Sequence, residues 1–265
     1  MLTESQPVAT TLGSIAAILQ AVTWPLVAVL FFVIYRAKVG AVIDIFADKI
    51  KEAKHVKAWQ VEIDARAEVD RVVNEAGQAA TVQEVRSEVP EEQIRAARLV
   101  NEKLTALPIA YEQRLAMVRD SVYELVEKYE SLRRSTPGGE DRTRIMNQIS
   151  AKMRALAIGA YPLLPSLMEG KRPGERLAAI CILQVQHDPG RFHWLIDRVE
   201  AEDQPFLFFN AALAILEIVR DHQYLPKDIA SKSIGEALSH LKGFRGGKPD
   251  QNTIDVLEEA LRQLR

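Results

Sequence analysis

Cys181, His187 and His193 are the residues whose types and spacing come nearest to a chemical site. Read as C-x5-H-x5-H, they suggest either a metal site or a thiol nucleophile beside a base. The spacing fits no standard zinc pattern, and Cys181 lies in an apolar stretch typical of a buried helix. A reactive thiolate must be partly exposed. We therefore expect Cys181 to be a small core residue, and we predict no metal site, no cofactor and no enzymatic activity.

Two glycine-rich stretches carry basic residues that could contact a phosphate. Residues 243–250 read GFRGGKPD. A phosphate-binding loop has Ser or Thr after its lysine and a strand before it, whereas here Pro249 follows and a helical pattern precedes. We expect a flexible loop between helices. Residues 170–174, GKRPG, could bind an anion at the start of the next helix, although a solvated turn is the commoner role of such a loop.

Composition limits the classes of function open to this chain of 265 residues. Hydrophobic residues make up 48% of it and charged residues 26%, which is ordinary for a folded protein. The net charge of −2 gives no reason to expect nucleic acid as a partner. A single cysteine excludes an intrachain disulfide and a cysteine-rich metal site.

Residues 12–35 form an uncharged apolar run, LGSIAAILQAVTWPLVAVLFFVIY, after a short polar tail at 1–11. The run is long enough to cross a bilayer core of roughly 30 Å as a helix. A cleaved signal peptide would need a basic start, a shorter apolar stretch and a small-residue cleavage site, which are not present. Basic side chains follow the span and predict contact with anionic headgroups: Arg36, Lys38, Lys49, Lys51, Lys54 and Lys57. This asymmetry predicts an inner-membrane protein with its N-terminus outside and its C-terminal part in the cytoplasm.

Small residues recur every four positions within the span, at Gly13, Ala17 and Ala21, with Gln20 nearby. Small residues at this spacing let membrane helices approach closely, and a buried amide can hydrogen-bond across their interface. The pattern makes self-association an open possibility. Small residues are also common in membrane helices that do not associate.

The segment that follows, 36–64, combines an amphipathic basic helix with a brief alternating pattern from Trp59 to Ile63 that is typical of a strand. The first quarter of the chain resembles bacterial single-span membrane anchors with a basic juxtamembrane helix. Residues 65–90 lack a sustained apolar face, and we predict a linker or weak helix that ends at Pro90.

Residues 91–134 predict a helical hairpin or a coiled-coil segment, divided at Pro108. Its second part carries apolar residues at heptad spacing: Leu115, Val118, Val122, Leu125, Tyr129 and Leu132. The run is short for a coiled coil, so a helix that packs this stripe on its own domain is the favoured interpretation. The sequence STPGGED at 135–141 then ends the pattern.

The C-terminal part, 142–265, contains an internal repeat. Residues 178–185 read AAICILQV and residues 211–218 read AALAILEI, with four identities at an offset of 33 residues. That offset is the size of a helix-pair unit. On RLAAICILQV and NAALAILEIV, this region resembles a short HEAT-like or armadillo-like helical repeat. The predicted fold class is therefore all-α, with one transmembrane helix, a helical middle segment and a C-terminal repeat domain.

Three functions remain open at this point. The favoured one is a membrane-tethered scaffold or adaptor, because helical repeats offer extended surfaces for a protein partner. The candidates for an exposed aromatic partner surface are Phe192, Trp194, Phe206 and Phe208, although most of these aromatic residues should be core. The alternative is a signal-gated effector that oligomerises and opens or disturbs the membrane, for example in bacterial defence. An enzyme with its site among the helices is the least favoured.

Overall fold

The computed structural model describes residues 63–64, 66–78, 88–221, 225–243 and 251–265, together with positions 25 and 29. Every regular element in these ranges is helical and none is a strand, which confirms the all-α prediction. Val61–Arg265 forms one compact unit. The predicted span 12–35 lies outside the described residues apart from Pro25 and Val29, which are helical. Within the part that is described, no helix has the length and apolarity needed to cross a membrane.

The compact unit begins with a helical segment, α1, at 66–78. The helices that follow are α2 (Glu91–Ala106), α3 (Tyr111–Ser135), α4 (Glu140–Ala160), α5 (Leu164–Met168), α6 (Pro173–Gln186), α7 (Phe192–Ala201), α8 (Pro205–Asp221), α9 (Lys227–Lys242) and α10 (Gln251–Gln263). Short 3-10 turns at Tyr161–Leu163 and Pro189–Arg191 precede α5 and α7.

The helices pack in two layers. In the first, α2, α4, α6, α8 and α10 lie side by side in that order. In the second, α3 contacts α4 and α6, α5 contacts α6, and α7 contacts α8 and α9. His187, just after α6, contacts Asp221 at the end of α8, so these two neighbours in the first layer run parallel. The intervening second-layer helices return the chain to the starting end.

Proline sets many of the helix starts. Pro90 is the N-cap of α2, Pro173 is the first residue of α6, and Pro205 is the first residue of α8. Proline suits a first turn because its missing N–H is one that a helix leaves unpaired there. The breaker at 135–141 separates α3, which ends at Ser135, from α4, which begins at Glu140.

The two copies of the repeat lie in α6 and α8, which pack on one another. The four pairs of identical residues are all at most 1% exposed: Ala178 and Ala211, Ala179 and Ala212, Ile182 and Ile215, Leu183 and Leu216. Small side chains let the two helices approach closely, while the β-branched and leucine side chains fill the space between the layers. All four repeated pairs therefore belong to the buried core.

The heptad stripe of α3 is used inside this unit. Val118, Val122 and Tyr129 are at most 2% exposed, and Leu125 is 5% exposed. Leu115 and Leu132 at the two ends are partly exposed. The buried middle of the stripe packs into the same core as α4 and α6.

Within the segment predicted as a linker or weak helix, residues 66–78 are a helix that joins the core. Val69, Val72, Val73 and Ala76 are each at most 8% exposed. At this spacing the four residues form a narrow apolar face on a helix. The segment also contains Glu, Arg and Asn side chains, so its overall composition does not indicate that face. Ile63, the last residue of the predicted strand, is also helical, while residues 59–62 lie outside the described ranges.

Candidate functional site

Arg154, in the middle of α4, is the largest fully buried side chain of the described residues, at 1% exposure. Its Nε donates to Oε1 of Gln184 on α6 at 2.5 Å. Its Nη1 donates to Oε1 of Gln93 on α2, and its Nη2 to Oδ1 of Asn210 on α8, each at 2.8 Å. One guanidinium therefore connects four helices of the first layer.

The amides around Arg154 are themselves fixed by further hydrogen bonds. Nε2 of Gln184 donates to the backbone oxygen of Asn210 at 2.7 Å, and Nδ2 of Asn210 donates to the backbone oxygen of Phe206 at 2.8 Å. Burial lowers the pKa of Arg154 because desolvation disfavours the charged form. The three amide oxygens that accept from the guanidinium offset that cost. A buried network in which every polar group has a hydrogen-bond partner also favours one packing arrangement of the helices. The cluster is a structural element of the core.

Cys181 lies on α6 in the same core and is fully buried. Burial raises the pKa of its thiol to about 11, opposite to the change that a nucleophile requires. His193 is exposed at the start of α7. His187 is in the left-handed conformation, φ 45°, just after α6, and its Nε2 lies 2.9 Å from the backbone oxygen of Gln184. Within the described ranges, no three His, Cys, Asp or Glu side chains form a group able to hold a metal ion.

Two of the four predicted surface aromatics are core residues. Phe192 and Phe208 are each 2% exposed, so their prediction as partner-facing side chains is corrected. Phe192 shares the buried face of α7 with Leu195, Ile196 and Val199, a helical spacing that turns it inward. Trp194 and Phe206 are partly buried and pack against the edge of the core.

The partly exposed aromatic side chains are accompanied by arginines. We call this set the aromatic–arginine edge: Tyr123, Arg133, Arg172, Trp194, Arg198 and Phe206, all half-buried. The guanidinium of Arg198 lies 5.4 Å from the ring centre of Trp194, and that of Arg172 lies 6.0 Å from Tyr123. Arg133 lies 5.9 Å from the buried ring of Tyr129, which is 6.3 Å from Phe206. Such contacts hold each arginine over a ring face.

A buried carboxylate fixes Arg198 of this edge and also binds Arg176. The side chain of Glu202, between α7 and α8, is 2% exposed. It accepts hydrogen bonds from Nη2 of Arg176 at 2.9 Å and from Nη1 of Arg198 at 3.3 Å. Arg176 also donates to the backbone oxygen of Lys171 at 2.8 Å, which fixes the loop before α6. Glu202 therefore ties α7 to the start of α6.

The loop at 170–174 binds the protein's own acids. The backbone N–H of Gly174 donates to Oε1 of Glu130 at 2.7 Å, and the backbone N–H of Arg172 donates to Oε2 of Glu175 at 3.1 Å. The side chain of Arg172 pairs with Glu127 and Glu175. Carboxylates therefore already occupy the positions that an external anion would take at this helix start.

Several predicted functional residues lie outside the described ranges. These are the small residues of the span, Gly13, Ala17, Gln20 and Ala21, and the basic residues Arg36, Lys38, Lys49, Lys51, Lys54 and Lys57. Residues 244–250 of the glycine-rich loop are also outside them.

The cluster around Arg154 was not predicted from the sequence. The available signal was the presence of single polar residues in otherwise apolar helical faces: Arg154 in ISAKMRALAI and Gln184 in AAICILQV. Comparison with known protein families, with curated proteins and with solved structures finds no match to this chain.

Proposed function

We propose that the protein is a single-pass inner-membrane scaffold or adaptor whose cytoplasmic HEAT-like repeat domain binds a protein partner. The observation that carries this proposal is the aromatic–arginine edge on a two-layer stack of helices. Trp, Tyr and Arg dominate the energetics of protein–protein interfaces because they combine large apolar area with polar groups. The apolar run at 12–35 supports the membrane tether.

The edge suits a docking role because its side chains are held in place before a partner arrives. Trp194 packs on the core and under Arg198, and Arg198 is fixed by Glu202. Ordering flexible side chains is a cost of association, so prior ordering favours binding. The resemblance to helical repeats supports the same role, since such stacks present long surfaces to other proteins.

Co-purification tests the proposal. The tagged full-length protein is cross-linked in membranes, extracted and analysed for bound proteins by mass spectrometry. The variants Trp194→Ala and Arg172→Ala are compared with Tyr161→Ala, an aromatic residue that is 40% exposed and is not a member of the aromatic–arginine edge. We expect both edge variants to lose a partner that Tyr161→Ala retains. Equal recovery in all three would contradict a docking role for the edge.

The native mass of the detergent-extracted protein separates this proposal from the effector hypothesis. A scaffold is expected to be a monomer or dimer both as the full chain and as residues 36–265. A large defined oligomer that dissociates without residues 1–35 would favour a membrane effector. Leakage from liposomes would then be the next measurement.

A further inference from the structure

A polar pocket of about 140 Å³ lies between α1, α3 and α4. Its floor consists of the buried side chains of Val73, Leu125 and Leu156. Its walls carry side chains that can hydrogen-bond or ionise: Asp70, Asn74, Ser121, Glu124, Lys128 and Lys152. Six of the nine lining residues are therefore polar or charged, and such groups fix the orientation of a bound small molecule.

Two charges in this pocket lack an opposite charge bound to them. Lys128 and Glu124 pair with each other at 2.7 Å. Lys152 instead donates to the neutral Oδ1 of Asn74 at 2.7 Å, and no carboxylate of the described residues lies within ion-pair distance of it. Asp70 likewise accepts no hydrogen bond from the part of the chain that the structure describes. The pocket therefore presents one ammonium and one carboxylate with free capacity.

Partial burial acts against the charge of both groups. It raises the pKa of Asp70, which the positive charge of Arg66 opposes, and it lowers the pKa of Lys152, an effect that Lys128 reinforces and Glu124 opposes. Each change disfavours the charged form. A ligand that brought an ammonium to Asp70 and a carboxylate to Lys152 would stabilise both.

Gly77 shows that the position of Lys152 is built into the packing. A Cβ atom on Gly77 would lie 2.4 Å from Cε and 2.8 Å from Cγ of Lys152. Glycine is unfavourable inside a helix, and here its absence of a side chain leaves the space that the aliphatic part of Lys152 occupies. The helix α1 thus accommodates the lysine that crosses to Asn74.

We propose that this pocket binds a small zwitterion, an α-amino acid of the size of glycine or alanine. Its carboxylate pairs with Lys152, its ammonium pairs with Asp70, and its aliphatic part lies on Val73 and Leu156. The two carboxylates and two ammonium groups of the pocket balance, which favours a ligand without net charge. A volume of about 140 Å³ lies below the usual range for drug-sized ligands and suits a molecule of a few non-hydrogen atoms.

Isothermal titration of the full-length protein in detergent with glycine and L-alanine tests the proposal. We expect saturable binding with a Kd between about 1 µM and 1 mM, given the affinity that so few atoms can supply. Asp70→Asn and Lys152→Gln should each weaken it at least about tenfold. Gly77→Ala should also weaken it, since the new methyl group displaces Lys152. Lys103→Gln, which removes an ion pair with Glu68 outside the pocket, should leave the affinity unchanged.

Half-ligands and lysine labelling complete the test. Acetate and methylammonium should bind at least about tenfold more weakly than L-alanine, because each satisfies only one charge. L-alanine should slow the acylation of Lys152 in the unaltered protein, read by peptide mass, but not that of Lys103. Absent binding, equal affinity in Asp70→Asn and Lys152→Gln, or acetate binding as tightly as L-alanine would each overturn the proposal.

Discussion

Nη2 of Arg154 donates a hydrogen bond to Oδ1 of Asn210 at 2.8 Å, joining α4 and α8, which both pack against α6. The two residues are 56 positions apart. With Gln93 and Gln184, this contact draws together polar groups from four helices of the first layer. None of the three partners is charged, so the charge of Arg154 is stabilised by hydrogen bonds alone. Losing any member of the cluster weakens that stabilisation in a buried site, where it is costly.

Arg154→Met should destabilise the protein strongly. The substitution leaves the buried amide oxygens of Gln93 and Gln184 without their donor, while Oδ1 of Asn210 keeps only the longer bond from Nε2 of Gln184 at 3.2 Å. Each buried oxygen without a donor costs about 1–3 kcal/mol. We expect a loss of at least about 3 kcal/mol in the free energy of unfolding, measured by denaturant titration followed by circular dichroism. Arg144→Met, on the exposed face of α4, is the matched control and should change it by less than about 0.5 kcal/mol. Similar losses in the two variants would contradict the role given to Arg154.

The sequence was sufficient to predict the helices but not this cluster. Apolar residues at helical spacing and prolines at helix starts locate α6 and α8, and the repeat indicates that they pack together. Arg154 is different, because an arginine in a helix is usually exposed. Its burial depends on amides contributed by three other helices, and no local pattern encodes that meeting. The aromatic residues show the same limit, since Phe192 and Trp194 are two positions apart but differ in burial.

The helix at 66–78 shows a second limit of sequence reasoning. Its apolar face is narrow, and charged residues lie between and around its valines. This composition is also typical of a linker. Packing against α3 and α4 supplies the stability that its composition does not suggest. The pocket between these helices is likewise a product of tertiary packing, because Asp70 and Lys152 are distant in the sequence.

Glu202→Gln should destabilise the protein more than the same change at an exposed acid. Glu202 is buried and accepts hydrogen bonds from Arg176 and Arg198, so removing its charge leaves two arginines with a weaker acceptor. We expect a loss of about 2–3 kcal/mol in the free energy of unfolding. Glu92→Gln, which breaks an exposed pair with Arg95, should cost no more than about 0.5 kcal/mol. Denaturant titrations of both variants under identical conditions give the comparison, and equal costs would rule out a special role for Glu202.

Two helical glycines should respond in opposite directions to substitution by alanine. A Cβ on Gly159 would lie 3.1 Å from Cδ1 of Leu104 and 3.3 Å from Cγ2 of Val118, both buried side chains. Gly235, within α9, has open space around the new atom. Thermal unfolding should show that Gly159→Ala destabilises by about 1 kcal/mol through overpacking. Gly235→Ala should stabilise by about 0.5–1 kcal/mol, because alanine favours a helix. A lower unfolding temperature for Gly235→Ala would disprove this assignment.

The buried thiol of Cys181 should make stability fall at alkaline pH. Burial raises its pKa to about 11 in the folded protein, above the value of the unfolded chain. The buried thiol therefore makes its full contribution to the free energy of unfolding below the pKa that it has in the unfolded chain. As the pH rises from there toward the pKa in the folded protein, this contribution falls by about 1.4 kcal/mol per pH unit. Cys181→Ala lacks this thiol and should lose less stability between about pH 8 and about pH 10. Ala214 occupies the equivalent position of the repeat in α8, so the core accepts alanine there. Free energies of unfolding of both proteins at the two pH values test the prediction, because other titrating groups are common to them. Parallel losses would show that the thiol does not contribute.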